Sequence, residues 1–418
     1  MATSPMLETN HASVTTDSAA GESSATTPEL LVWLAGQPGE ASALTVSALE
    51  AAFAGSSIVV ISPEPAPSPL PPGMRWGVRH TLAPQGAWVL TATDFAEAAH
   101  AARDYDAPYA LLLGSHGPWA TPGALRKLAD TSGDRPVDLV TPRPMPGEEQ
   151  GLVNAALLYP LTRALFAADV HYPLPTDALL SRRLLERLGT VAHRSASAAN
   201  DAMLWPVSEA AVAGCHIREV TLEGYTLPHP PESTFNELFT AVAASLFADI
   251  ETKASYWQRA RIFAPTGAAG IPSAQAGIPH PPPTSAVEVS PEVLELIDNF
   301  RLAYKSLQEL WSLLLPPQTL LALKRLSLAP PESFSVAPQV WARIVYDFAL
   351  AYRLRTLNRG HLLGAFTPLY MAWVASHARA AEVDPASAAQ MMTETAQAFE
   401  LERGYVVARW RWPDRFNP

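Results

Sequence analysis

Short, uninterrupted apolar runs that alternate with helical patterns are the feature of this sequence that most restricts its fold. Leu30–Ala35 and Ile58–Ile61 are two such runs, and between them apolar residues recur at helical spacing through Leu44, Leu49 and Phe53. A strand that is apolar on both faces must be covered on both faces, which is typical of parallel sheets flanked by helices. The chain therefore begins as a β-α-β unit, and we predict an α/β fold with an open, mostly parallel sheet.

The turn after a later predicted strand is the first candidate for a ligand-binding position. Tyr109–Leu113 is a further apolar run, and it ends at Gly114-Ser115-His116-Gly117-Pro118, where two glycines and a proline force the chain to turn. In open parallel sheets, ligands bind outside the carboxyl ends of the strands. We therefore expect this turn to lie at the edge that carries the active site.

Periodicity predicts the remaining elements of this half of the chain. Strands are expected near Trp76–Thr81, Asp138–Val140 and His216–Leu222, and helices over Asn154–Phe166, Asp177–Leu188 and Phe235–Ile250. Asp177 would begin its helix as an acidic residue that caps or stabilises the N-terminus.

The last third of the chain has the pattern of a helical domain. Residues 264–285 are rich in Gly and Pro and lack periodicity, whereas Ser290-Pro291 is a strong helix start. Helical patterns also cover Pro338–Leu354, Leu362–Ala378 and Pro385–Leu401, and their aromatic residues are expected in the core. We predict a disordered leader over residues 1–27, an α/β domain over 28–260, a linker or arm over 261–287 and a helical domain over 288–418.

Composition excludes several classes of function. The formal net charge of −11 argues against nucleic acid as a partner, because binding a phosphate backbone needs clustered Lys and Arg. Cys215, the one cysteine of the 418 residues, excludes an intrachain disulfide and a thiolate zinc site. The sequence has no apolar stretch of transmembrane length and no signal-peptide pattern near its start, so a cytoplasmic protein is expected.

The familiar catalytic motifs are missing from the sequence. It contains no Walker loop, no dinucleotide-binding glycine motif, no zinc-protease motif and no cysteine pair. The candidates that remain are His116 at the end of a strand, Asp177 after a Pro-rich turn, Asp201 before an apolar helix and His229 between two prolines.

Several stretches together resemble the mannosylglycerate synthase-like glycosyltransferases, a branch of the GT-A fold. The most similar are Leu157–Phe166, the Tyr172-Pro173-Leu174-Pro175-Thr176-Asp177 turn, Thr367–Tyr370, Phe399–Tyr405 and Ala408–Trp410. The resemblance implies a GT-A type sheet in a nucleotide-sugar-binding domain, followed by a helical domain.

The resemblance also implies roles for particular residues. The family's Asp-x-Asp motif, which holds a divalent cation (Mg²⁺ or Mn²⁺) on the diphosphate of the donor, falls on Gly114-Ser115-His116, so both carboxylates are missing. His116 and His229 are then the expected metal ligands. Gly114, Ser115, His116 and Thr176 are expected to bind substrate or nucleotide.

Two acids would be catalytic in this interpretation, although each has a simpler alternative. Asp177 matches the acidic end of the family's turn beside the donor sugar, and Asp201 matches the second acid of its acceptor segment, whose first acid is replaced by Ser197. Alternatively, Asp177 caps a helix, Asp201 is a solvated residue at a helix start, and His229 is an ordinary loop histidine. The family's basic segment near the nucleotide corresponds to Pro84-Gln85-Gly86, which has no lysine.

The function predicted from these matches is transfer of a hexose from a nucleotide sugar to a small hydroxylated, glycerate-like acceptor, with a homo-oligomer formed through the helical domain. One alternative is a catalytically silent relative that acts as a binding or partner protein. A remote alternative is a serine hydrolase, since Ser115, Asp201 and His229 follow the chain order of its triad, but Leu113 stands where the nucleophile turn needs glycine.

Overall fold

The computed structural model describes residues 27–35, 40–66, 68–78, 89–114, 119–145, 151–195, 203–226, 235–259 and 289–413. The predicted linker at 261–287 and all of the predicted leader except Thr27 lie outside these residues. In the first part of the chain the elements are β1 Leu30–Leu34, α1 Glu40–Ala52, β2 Ile58–Ser62, β3 Met74–Val78, α2 Ala92–Asp104, β4 Tyr109–Leu113, α3 Pro122–Ala129, β5 Leu139–Arg143, a π-helical turn Asn154–Leu158, α4 Tyr159–Phe166, β6 Asp177–Ser181, α5 Arg182–Ser195, α6 Pro206–Val212 and β7 Ile217–Thr221.

The remaining described elements are all helical. They are α7 Phe235–Thr252, α8 Ala254–Trp257, α9 Pro291–Ser312, α10 Pro317–Leu328, a 3₁₀ turn Pro331–Ser333, α11 Pro338–Leu354, α12 Arg359–Val383, α13 Pro385–Leu401 and α14 Arg403–Arg411. No helix among the described residues has both the length and the apolar character needed to cross a membrane.

The chain divides into two compact units, and each unit is built from three separate stretches of the sequence. One is built from the described parts of residues 1–148, 175–204 and 220–228, and the other from those of 149–174, 205–219 and 229–418. The first contains β1 to β6 and is the α/β unit. The second contains α4 and α6 to α14 and is the helical unit.

The seven strands of the described residues form one mixed sheet in the order β3-β2-β1-β4-β6-β5-β7. The pairs β1–β2, β2–β3 and β1–β4 are parallel, whereas β6 runs antiparallel to both β4 and β5. Every residue of β1 and β2 is buried, which is why both strands are apolar along their whole length. The prediction of an α/β fold with a mostly parallel sheet, flanking helices and a helical C-terminal region is confirmed.

The prediction that a helix begins at Asp177 is wrong. Residues 177–181 form strand β6, which pairs with β4, and helix α5 begins only at Arg182. Asp177 is therefore the first residue of a strand and does not cap a helix. The apolar run Ala178–Leu180 fits a strand or a helix equally well, and its pairing with a strand more than 60 residues earlier decides the outcome.

The helical unit follows its sequence signals closely. Ser290 caps α9 by accepting a hydrogen bond from the backbone N–H of Val293 at 3.3 Å, as its position before a proline predicted. The predicted aromatic core is confirmed, because the side chains of Trp311, Trp341 and Trp373 are completely buried.

Candidate active site

The order of the strands marks one position in the α/β unit as a candidate for ligand binding. From β1 the chain adds β2 and then β3 on one side, and it then returns to add β4 on the other side of β1. The order of the strands therefore changes direction between β1 and β4, and open α/β sheets bind ligands outside the carboxyl ends of the strands at such a position. The backbone N–H of Ala35 donates to the carbonyl of Leu113 at 2.9 Å and joins these two ends.

Gly114 lies directly after β4, at the carboxyl end of the strand. Its N–H donates to the carbonyl of Thr176 at 2.9 Å and to Oδ1 of Asp177 at 3.0 Å. A β-carbon at Gly114 would lie 2.3 Å from the carbonyl oxygen of Thr176 and 3.2 Å from the side chain of Leu90. Glycine is required here because the backbone of the neighbouring segment leaves no room for a side chain.

The carboxylate of Asp177 holds the backbone of Gly114 in place. Only 1% of the surface of Asp177 is exposed. Because β6 runs antiparallel to β4, Asp177, the first residue of β6, pairs with Leu113, the last residue of β4. Oδ1 accepts the N–H of Gly114, and Oδ2 accepts the hydroxyl of Tyr225 at 2.8 Å. Both oxygens are engaged by protein donors, so Asp177 braces the edge of the sheet.

Tyr225 and Trp119 complete the buried layer around Asp177. The hydroxyl of Tyr225 lies 2.8 Å from Oγ1 of Thr176, and the ring of Trp119 meets the ring of Tyr225 edge-on at 5.0 Å between centroids. Next to them, the N–H of Leu90 donates to the carbonyl of Pro175 at 2.6 Å. The segment from Pro175 to Asp177 is thus held by hydrogen bonds on both sides.

Replacing Tyr225 with phenylalanine tests this layer. The change keeps the ring against Trp119 but removes the hydroxyl that reaches Asp177 and Thr176. We expect a loss of about 2 kcal/mol in the free energy of unfolding of the α/β unit, because a hydrogen bond to a buried charged group is lost. Native-state hydrogen exchange of the β4 amides at increasing urea concentration measures this loss of unfolding free energy. Tyr109→Phe at the opposite end of β4 is the control, and an equal loss in both variants would contradict a specific role for the Tyr225 hydroxyl.

The structure brings together three of the residues that the sequence singled out, namely Gly114, Thr176 and Asp177. The other four, Ser115, His116, Asp201 and His229, lie outside the described residues, as do Ser197 and Pro84-Gln85-Gly86.

The described residues do not fit a divalent cation at this edge. No three His, Cys, Asp or Glu side chains of the described part of the chain come together as a metal would require. Asp177, the one predicted site acid that is described, directs its oxygens at an N–H and an O–H donor. A carboxylate that already accepts two hydrogen bonds in a buried layer is poorly placed to ligate Mg²⁺ or Mn²⁺.

Sequence reasoning missed Tyr225 and Trp119. Tyr225 follows Gly224, whose positive φ of 68° turns the chain just after β7. That glycine signals a turn, but the sequence carries no signal that the turn delivers a tyrosine to an acid 48 residues earlier.

The fold is an open α/β sheet whose strand order changes direction between β1 and β4. No model of a known protein family matches the sequence, and no curated protein matches it.

Proposed function

We propose that the crevice between the carboxyl ends of β1 and β4 binds a nucleotide sugar and that the protein transfers the hexose to a small hydroxylated, glycerate-like acceptor. In this reaction the bond from the anomeric carbon to the diphosphate oxygen breaks. A bond from the same carbon to the acceptor oxygen forms, the acceptor hydroxyl loses its proton, and the nucleoside diphosphate leaves. The sheet would be of the GT-A type that the sequence resemblance implies.

The observation that carries the proposal is the change of direction at β1 and β4. Open α/β sheets bind their ligands where the strand order changes direction in this way. This position coincides with the turn that the sequence places at the family's donor-binding motif. The resemblance over residues 157–166, 172–177, 399–405 and 408–410 then favours a nucleotide sugar among the ligands that such an edge accommodates.

The described residues act in this proposal by positioning. The N–H of Gly114 is directed at Thr176 and Asp177, so it fixes where the chain leaves β4. The buried hydroxyl of Tyr225 holds Asp177 in turn. A rigid base of this kind lowers the entropy lost when the donor is oriented. No step is assigned to a metal ion, because the described residues do not fit one.

A catalytically silent relative is the second candidate, and one observation favours it. The family's two cation-binding carboxylates are replaced at Gly114-Ser115-His116, and the buried Asp177 does not stand in for them. Such a protein would bind a nucleotide sugar without releasing a nucleoside diphosphate.

Thermal shifts against a panel of UDP- and GDP-sugars, each with and without Mn²⁺, test the proposal. A ligand that binds the folded state at about 100 times its Kd stabilises it by about 2.7 kcal/mol, so a specific donor raises the melting temperature. We expect one nucleotide sugar to do so more than its free nucleotide or free sugar, and to release nucleoside diphosphate when glycerate-like acids are added. Binding without release would favour a silent relative that binds a nucleotide sugar, and no shift with any donor would contradict the proposed transfer and favour a silent relative that acts as a partner protein.

A further inference from the structure

Exposed leucines are concentrated on helices α9 and α10 of the helical unit. The four most exposed of this group are Leu302 (65%), Leu313 (64%), Leu321 (47%) and Leu328 (75%). Each stands two residues after a buried residue, namely Phe300, Trp311, Thr319 and Leu326 in that order. Two residues correspond to about 200° around a helix, so these leucines lie on the side opposite the core. A single exposed leucine is ordinary, whereas a group of them marks an interaction surface.

Helices α9 and α10 form an antiparallel hairpin, so their leucines share one surface. Residues 313–316 join the two helices. Nη2 of Arg301, in the middle of α9, donates to the carbonyl of Ala329, directly after α10, at 2.6 Å. Both helices bury the side that faces the core, and the sides that carry the leucines therefore lie next to each other. We call the surface formed by Leu302, Leu313, Leu321 and Leu328 the outer face.

The two helices of the outer face differ in charge. Glu295 and Glu309 are exposed and stand seven residues before and after Leu302, which places them in line with it on α9. Arg325 is exposed and stands between Leu321 and Leu328 on α10. Acids outnumber bases along α9, whereas α10 contains bases and no acid. The outer face therefore carries apolar side chains together with opposite charges on its two halves.

We propose that the outer face is the contact between two copies of this chain in a symmetric dimer, with α9 of each copy lying on α10 of the other. In a two-fold contact the same surface is used by both copies. This arrangement buries leucines against leucines and brings the acids of α9 opposite the bases of α10 twice. Contact of α9 with α9 would instead oppose acids with acids. The sequence predicts a homo-oligomer formed through the helical domain, and the outer face gives it a position that does not depend on what the sheet edge binds.

The size of the outer face determines how tight the dimer is. Helix α10 has 12 residues and is about 18 Å long, and two helices side by side are about 20 Å wide. A face of these dimensions is near the lower limit for a specific interface. We therefore expect the copies to exchange with a Kd of about 1 to 100 µM, typical of a weak contact.

Sedimentation velocity of the full chain at concentrations from about 1 to about 300 µM covers this range. We expect Leu302→Glu and Leu328→Glu each to raise the Kd of the dimer by at least about tenfold, because a carboxylate would be buried in an apolar contact. Leu401→Glu is the matched control, since Leu401 is also a leucine of the helical unit, is 69% exposed and lies at the end of α13. Its Kd should equal that of the wild type.

Charge exchange between two variants tests the pairing of α9 with α10. The first variant carries Glu295→Arg and Glu309→Arg, so that both of its helices are basic, and the second carries Arg325→Glu, which removes the net positive charge of α10. Each variant alone should dimerise less tightly than the wild type by about fivefold or more, whereas an equal mixture should form a heterodimer more tightly than either variant forms its own dimer.

Three results would overturn the proposal. The first is a wild-type chain that stays monomeric over the whole range, including one that binds phosphatidylcholine vesicles through the outer face instead. The second is a dimer whose Kd changes equally in the Leu328→Glu and Leu401→Glu variants. The third is a mixture of the two charge variants that associates no better than its components, and this result decides the matter if the leucine variants do not fold.

Discussion

Gly114→Ala is expected to destabilise the α/β unit by about 3 kcal/mol, a cost typical of forcing atoms into a packed interior. The added β-carbon would lie 2.3 Å from the carbonyl oxygen of Thr176 and 3.2 Å from Leu90. A backbone oxygen cannot rotate away as a flexible side chain can. Relief of the clash would therefore separate β4 from the start of β6, which also breaks the bonds from the Gly114 N–H to Thr176 and Asp177.

Native-state hydrogen exchange of the β4 amides measures this loss within the unit concerned. Gly123→Ala is the matched control, because a β-carbon at Gly123, in the first turn of α3, would meet no atom within 4 Å. We expect the control to be neutral or slightly stabilising, as alanine favours a helix over glycine. If both variants unfold with the same free energy as the wild type, the carboxyl end of β4 does not require glycine at position 114.

Lys253→Met is expected to destabilise the helical unit by about 4 kcal/mol, the cost of leaving buried charges without their partner. Only 5% of the Lys253 side chain is exposed, and its Nζ lies 2.8 Å from Oε1 of Glu209 and 3.0 Å from Oγ of Ser208. The same ammonium contacts the carboxylate of Asp249, which also accepts the Ser208 hydroxyl at 2.7 Å. Methionine fills the volume of the lysine stem but supplies no charge.

The pH dependence of the Lys253→Met loss identifies its cause. Burial raises the pKa of Asp249, and Lys253 acts against this rise, so the variant should hold Asp249 protonated to higher pH. Its deficit in unfolding free energy should therefore shrink as the pH is lowered. Lys324→Met, at an exposed lysine of α10, should change the unfolding free energy by less than about 0.5 kcal/mol at either pH. A deficit that does not vary with pH would mean that lost packing, not unpaired acids, dominates.

Local signals explain which parts of the fold could be predicted from the sequence. Helices α11 and α13 have the predicted bounds, because each begins at a proline in its first turn and ends where its apolar spacing ends. Strands β1 and β2 were evident because a strand buried on both faces has to be apolar throughout. Strand β6 was not, because five residues directly before a helix carry no signal of a partner strand far along the chain.

The features of the candidate site likewise divide into those that the sequence could predict and those that it could not. The end of β4 at Gly114 was predicted from the glycines and the proline of the turn, but the need for glycine comes from the backbone of Thr176, which is distant in the sequence. The contacts of Tyr225 and Trp119 could not be predicted, because they depend on how distant loops meet at the carboxyl edge of the sheet. Lys253 and Asp249, four residues apart, resemble an ordinary surface pair in sequence, and only their burial against Glu209 makes them costly to separate.

Hydrogen exchange of the full chain, with and without the panel of UDP- and GDP-sugars, tests most directly whether the β1–β4 crossover is the donor site. We predict that at least one of these compounds slows exchange in the peptides that contain the ends of β1 and β4, residues 30–35 and 109–114, and leaves the peptides of α11 and α12 unchanged. Unchanged exchange at both strand ends, or protection only in the helical unit, would contradict the proposed site.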